Sequence, residues 1–263
     1  MHGLSSVDPG CNIDWGKTSG DYGRFRPGPP DSFYQRLFAL GIGLPQQDIL
    51  DLGTGTGVLA RRFAQQGARV SGIDLFEEQI KMARELAREE SLDVDFRTSP
   101  AENTPFNDRQ FDVITANQCW LYFKKDEVIA EVKRLLKPGG VLVTSHFSWL
   151  PRLDSIAKKT EELVLKFNPN WTAAGWNGDI PPMPKWAEGK FILKGMFFYD
   201  EPIPFTRESW CGRIRACRGV GAVLPDNQVK EFDAEHMRLL EKTAPSQFTV
   251  LHRLDAHILQ PVI

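Results

Sequence analysis

Between Asp48 and His146 the chain alternates short apolar runs with stripes of apolar residues at helical spacing. Ile49-Leu50-Asp51 reads as a short buried strand, Gly53 to Gly57 as a tight loop, and Val58 to Gln66 as a helix with Leu59, Ala60, Phe63 and Ala64 inward. A second strand runs from Ala68 to Asp74, and the helix Glu77 to Glu90 carries Ile80, Ala83 and Ala87 on one stripe. Val94 to Phe96 and Phe111 to Ala116 are the third and fourth strands. The helix opened by Asp126 is stopped by Lys137-Pro138-Gly139-Gly140, and Val141 to Phe147 is the fifth strand. Strands separated by helices of this length predict a mostly parallel sheet covered on both faces, an α/β doubly wound core.

Outside that core the pattern changes. The first 20 residues hold seven Gly or Ser and read as a loose arm that includes His2. Asp31 to Leu40 is a helix with Phe33, Leu37 and Leu40 on one face. Arg152 to Phe167 is helical, and Asn168 to Lys190, with four prolines and three tryptophans, is an ordered loop region. Met196 to Phe205 is strand-like, Glu208 to Ala216 and Pro225 to Leu240 are helical, and Phe248 to Leu259 is a last strand. The expected organisation is an N-terminal arm and lid helix (1–47), a cofactor-binding core (48–149), an insertion covering the substrate (150–195), and C-terminal strands and helices completing the same domain (196–263).

The chain has 263 residues, 41% hydrophobic and 25% charged, which suits one large soluble domain. Lys and Arg total 32 against 34 Asp and Glu, a formal charge of −2, which argues against a dedicated nucleic-acid binder. There is no apolar run of membrane-spanning length and no secretory signal pattern. Cys11, Cys119, Cys211 and Cys217 are scattered without metal-ligand spacing, so no metal is expected and a reduced cytoplasmic setting is the default. Five of the seven tryptophans fall between Trp149 and Trp210.

The strongest chemical signal is Asp51-Leu52-Gly53-Thr54-Gly55-Thr56-Gly57 between a strand and a helix. Alternate glycines turn the backbone sharply and let a ligand approach closely, and the helix N-terminus offers free N–H groups. Asp74 ends the next strand, placed to accept both hydroxyls of a ribose. Together they indicate a nucleoside-containing cofactor. Gly55-x-Gly57-x-x-Ala60 also fits a dinucleotide fingerprint. Asp51, however, would repel a pyrophosphate and attract a cationic amino group.

These motifs resemble the class I S-adenosylmethionine-dependent methyltransferases, in particular the small-molecule branch that includes ubiquinone/menaquinone-biosynthesis and trans-aconitate methyltransferases. The resemblance covers about Tyr22 to Trp149. It implies that Gly53, Thr54 and Gly55 lie against the methionine portion of S-adenosylmethionine, that Asp51 reaches its amino group, that Asp74 binds the ribose, and that Leu75 packs on the adenine. Ala101 and Glu102, in Ser99-Pro100-Ala101-Glu102, would border the adenine, although Pro100 departs from the family pattern. Asn117 or Gln118 would face the methionine amine and the methyl group. Leu121 stands where many relatives have His. Tyr22 and Arg26, in a segment resembling one that folds over the cofactor, would shield the sulfonium and pair with a carboxylate.

On this reading the enzyme places a small-molecule acceptor in line with the S–CH₃ bond and excludes water. His146, at the end of the fifth strand, is the candidate general base, against a plain packing role. Trp120, Trp149 and Trp176 are candidates for the acceptor side. The aromatic cluster of Trp149, Trp171, Trp176 and Trp186 reads equally as a satellite core. Arg213 and Arg215 read as a solvated basic helix face or as contacts to an anionic substrate. The competing functions are an NAD(P)-dependent oxidoreductase and a catalytically silent cofactor-binding module. The acceptor and the oligomeric state stay open.

Overall fold

The computed structural model describes residues 7–262. In chain order the elements are α1 (Ser19–Phe25), α2 (Asp31–Ala39), β1 (Asp48–Leu52), α3 (Val58–Gln65), β2 (Arg69–Asp74), α4 (Glu77–Glu89), β3 (Val94–Thr98) and β4 (Phe111–Asn117). They continue with α5 (Lys125–Leu135), β5 (Leu136–Trp149), α6 (Ser155–Phe167), β6 (Phe191–Thr206), α7 (Arg207–Arg215), α8 (Asp226–Thr243) and β7 (Gln247–Pro261). Short 3₁₀ turns lie at Trp15–Thr18, Trp120–Tyr122 and Lys185–Ala187.

The strands form one seven-stranded sheet in the order β3-β2-β1-β4-β5-β7-β6, mostly parallel with an antiparallel strand. β1 pairs in parallel with β2 on one side and β4 on the other, with Asp51 opposite both Gly72 and Thr115. The chain therefore leaves β1 in one direction and returns to its other side through β4. The carboxyl ends of β1 and β4 mark the topological switch point, where an open α/β sheet binds its ligands. Ile49, Leu50, Leu52, Ile73 and Ile114 are fully buried. Burying such a side chain is worth roughly 1.5–3 kcal/mol.

The basic residue expected to end the fifth helix has a larger role. Lys137 Nζ donates to Asp48 Oδ2 at 2.6 Å and to Asp112 Oδ2 at 2.9 Å, joining the starts of β1, β4 and β5. The helix stops at Leu135, before the Lys137-Pro138-Gly139-Gly140 stretch expected to end it, and the strand begins at once at Leu136 rather than at Val141.

Two compact units make up the chain. One consists of Gly28–Phe147, Ile180–Phe198 and Leu254–Ile263; the other of the chain up to Pro27, Ser148–Asp179 and Tyr199–Arg253. The first holds α2 to α5 and the glycine loop. Its α2 buries Phe33 and Leu37, but Leu40, expected inward, is 50% exposed, because the helix has ended at Ala39.

In the second unit α7 packs on α1 at Gly212, where an added Cβ would lie 2.2 Å from Phe25 Cδ2. Trp210 Nε1 donates to Thr160 Oγ1 at 3.0 Å, and that hydroxyl also meets His236 Nε2 at 3.1 Å, linking α6, α7 and α8. Burial pushes His236 down to about 4 and His252 to about 3, so both are neutral packing residues.

The arm expected to be loose is ordered over its described part, while His2 lies outside the described residues. Asp8, Ile13 and Thr18 are buried. Asp8 Oδ1 accepts from the Thr172 N–H at 2.9 Å, Asp8 Oδ2 is 3.0 Å from Arg218 Nε, and the Asp14 N–H reaches Ala222 O at 2.9 Å. Polar long-range contacts hold this segment, in place of an apolar stripe. The solvated face expected at Arg213 and Arg215 is likewise absent: every residue from Trp210 to Ile214 is buried, Arg213 among them.

Candidate active site

β1 delivers Asp51 to the switch point and the glycine loop turns back beneath it. Gly53, Gly55 and Gly57 adopt φ of 59°, 55° and 76°, a left-handed backbone that side chains resist. A Cβ at Gly53 would sit 2.8 Å from Cys119 Cβ, so the loop lies directly against the segment after β4.

Asp51 is buried, with Oδ2 accepting from Thr54 Oγ1 at 2.7 Å and Oδ1 from Thr115 Oγ1 at 2.6 Å. Burial raises its carboxyl to about 6, opposed by those two hydroxyls and reinforced by the charge of Asp74. Asp74 accepts from the Gly55 N–H at 2.9 Å on Oδ2 and from the Phe76 N–H at 3.0 Å on Oδ1. Burial moves its carboxyl upward as well. Each oxygen of Asp74 keeps a lone pair for a further donor, which matches two vicinal hydroxyls. Leu75, beside it, is half exposed, an apolar surface suited to a base.

Ala101 is buried, and Glu102 Oε1 accepts from the Lys124 N–H at 2.9 Å at the start of α5. Ser145 Oγ donates to Asn117 Oδ1 at 3.1 Å. Gln118, at φ 65°, donates its backbone N–H to Ser145 O at 2.9 Å, and its side-chain amide donates to Phe147 O. Cys119 Sγ donates to Leu52 O at 3.0 Å, and burial with the charges of Asp51 and Asp74 pushes the thiol well up, which makes it a poor nucleophile.

His146 Nδ1 lies 3.1 Å from Oδ2 of Asp255 on β7, a carboxylate that is completely buried. Its ring is 40% exposed by side chain. In a neutral imidazole, a carboxylate acceptor at Nδ1 selects the tautomer with its proton there and its lone pair on Nε2. His257 Nδ1 flanks the same Asp255 oxygen at 3.8 Å.

The aromatic candidates separate. Trp120 is buried in the core of the sheet, its ring 4.3 Å from that of Trp186. Trp149, in the other unit, donates from Nε1 to Glu161 Oε1 at 2.7 Å and stands edge-on to Trp210 at 5.5 Å. Trp176 is half-buried in that unit. Tyr22 belongs to α1 and Arg26 caps it, the guanidinium 4.4 Å over the Tyr22 ring.

Sequence reasoning missed two residues of these clusters. Thr115 lay inside a strand motif whose hydroxyl had no visible partner. Asp255 carried a signal: an acid between Leu254 and Ala256, with His252 and His257 on the same strand.

A glycine loop at the switch point, a buried acid before it and a ribose-type carboxylate after the next strand define a nucleoside-cofactor domain. Residues 50–144 match the methyltransferase-domain family model. The ubiquinone biosynthesis O-methyltransferase of Actinobacillus pleuropneumoniae is 34% identical over 136 residues, covering 49% of this chain and 58% of that protein. Its Pseudomonas aeruginosa counterpart is 34% identical over 132 residues, covering 49% and 57%. The matched region is thus less than two thirds of these relatives' length. In fold the chain is similar to the YcgJ protein of Bacillus subtilis, with a TM-score of 0.52, 20% identity, and 87% and 98% of the two chains covered. It is also similar to a SAM-dependent methyltransferase from Geobacter sulfurreducens solved with S-adenosyl-L-homocysteine, with a TM-score of 0.50, 17% identity and 89% and 92% covered. Over residues 50–144 the α/β core of this chain is thus similar to the S-adenosylmethionine-dependent methyltransferases.

Proposed function

We propose that the protein transfers a methyl group from S-adenosylmethionine to a small-molecule acceptor by in-line displacement. The observation that carries this reading is the pair Asp51 and Asp74: one buried acid suited to an ammonium group, one carboxylate with capacity for two hydroxyls. Gly53, Thr54, Gly55, Leu75, Ala101, Glu102, Asn117 and Gln118 complete the proposed cofactor set. Tyr22 and Arg26 join it on the resemblance of their segment. Trp149 and Trp176 are the proposed acceptor contacts; Trp120 supports the core beneath.

S-adenosylmethionine, when bound, supplies a methyl group already activated on a sulfonium. The protein's main task is then orientation and exclusion of water, worth about 7–11 kcal/mol when geometry is well held. The similarity to O-methyltransferases supports a hydroxyl acceptor. A hydroxyl must lose its proton, and the Nε2 atom of His146, held by Asp255, is the proposed site that takes it. A positioned base adds about 10²–10⁴-fold.

No helix among the described residues is long and apolar enough to cross a membrane. With four free cysteines, the cytoplasm is the proposed location. Calorimetry with S-adenosylhomocysteine and NAD tests the cofactor, and a metabolite panel with labelled S-adenosylmethionine tests the reaction. Tight binding of NAD alone would overturn the proposal.

A further inference from the structure

Five arginines lie on and beside α1 and α7; Arg207 donates to Ala244 O at 2.7 Å, and the other four fall into two pairs. Arg24 meets Glu208 at 3.4 Å, and Arg215 is held by Asp21 at 2.9 Å and Asp233. Arg213 and Arg26 have no carboxylate partner among the described residues. Arg213 is only 3% exposed, its Nε atom has no hydrogen-bond partner, and its Nη1 meets only the weak acceptor Cys217 Sγ at 3.1 Å. The guanidinium lies 5.0 Å over the ring of Trp149.

A cation taken out of water without a counter-ion is costly, and proteins normally pair it. Here the neighbouring acids are already engaged: Asp21 and Asp233 by Arg215, and Glu161 by Trp149 Nε1 at 2.7 Å and the Gly175 N–H at 2.7 Å. The charge of Arg26 acts on Arg213 unfavourably, and burial pushes the Arg213 guanidinium down from its ordinary value. An aromatic wall and a buried, under-bonded planar fork make a site for a planar anion that accepts two parallel hydrogen bonds.

We infer that Arg213, backed by Trp149, binds the carboxylate of a small-molecule ligand. Under the proposed methyl transfer, on which its identity rests, that carboxylate belongs to the acceptor, the ligand proposed for Trp149. The acceptor supplies the missing counter-charge.

Calorimetry on the full chain, with S-adenosylhomocysteine saturating, titrates benzoate against benzamide and succinate against succinamide. In Arg213→Met the affinity for a carboxylate probe should fall at least tenfold while its neutral counterpart is unaffected. The thermal midpoint of this variant without ligand should hold or rise, since a buried unpaired charge has been replaced by an apolar chain of similar reach. Wild-type protein that prefers no carboxylate probe over its neutral counterpart overturns the inference. So does a variant that melts several degrees lower with its carboxylate binding intact, which would make Arg213 a packing residue. Failure of S-adenosylhomocysteine to bind wild type would sink the methyl-transfer reading instead; the benzoate and succinate titrations, then run without it, still judge Arg213.

Discussion

Asp51 on β1 and Thr115 on β4 are joined side chain to side chain at 2.6 Å, across the two strands whose carboxyl ends form the switch point. The bond fixes a buried acid where the sheet opens, and Thr54 of the glycine loop holds its second oxygen. The acid is thereby oriented but not neutralised.

Its titration should be visible twice. With the carboxyl raised to about 6 from an ordinary 3.8, the folded protein keeps this proton longer than the unfolded chain. Stability without ligand should therefore fall by roughly 3 kcal/mol as pH rises from about 4 to about 6, and Asp51→Asn should flatten that slope. Affinity for S-adenosylhomocysteine should move oppositely, rising over the same interval as the carboxylate forms. Denaturant melts and calorimetry at stepped pH check both signs.

Asp74→Asn leaves the backbone donors of Gly55 and Phe76 facing a weaker acceptor, and puts an amide where hydroxyls would donate. Affinity for S-adenosylhomocysteine should drop about 10–100-fold, or roughly 1.4–2.7 kcal/mol. Unchanged binding by calorimetry would show that the ribose site has been misplaced.

For His146 the informative variants are His146→Ala and Asp255→Asn. Turnover on a hydroxyl acceptor should fall about 10²–10⁴-fold in the first, with cofactor affinity preserved. Added imidazole should restore part of the rate. Asp255→Asn should also slow turnover, because its amide can donate to Nδ1 and favour the wrong tautomer, but it should gain nothing from imidazole. Equal turnover in wild type and His146→Ala would remove the base from the mechanism.

The contact of α1 with α7 can be probed at Gly212. Gly212→Ala should destabilise the protein by about 1–3 kcal/mol through collision with Phe25. Phe25→Leu should relieve part of that cost, giving a double-mutant coupling of about 0.5 kcal/mol or more. Strict additivity in urea melts would mean the two residues do not share the contact.

The doubly wound core was legible because its strands are buried on both faces and its helices on one, so burial writes a period into the sequence. Asp51, the glycines and Asp74 were legible for a second reason: their backbone conformations and spacing restrict residue type. The N-terminal segment was not, since Asp8 and Asp14 are tied to Arg218, Thr172 and Ala222 more than 150 positions away, and polar pairing leaves no period. Nor was Arg213. A helix buried over five consecutive residues has no polar face to betray it, and an arginine inside one reads as solvent-facing until its surroundings are known.

Each compact unit is stitched from three separated stretches of chain, and β5, β6 and β7 each pass from one unit to the other along their length. No single cut between residues 7 and 262 releases either unit as one uninterrupted polypeptide. Replacing the unit that holds Arg213 and Trp149 by that of a relative would require exchanging three segments together.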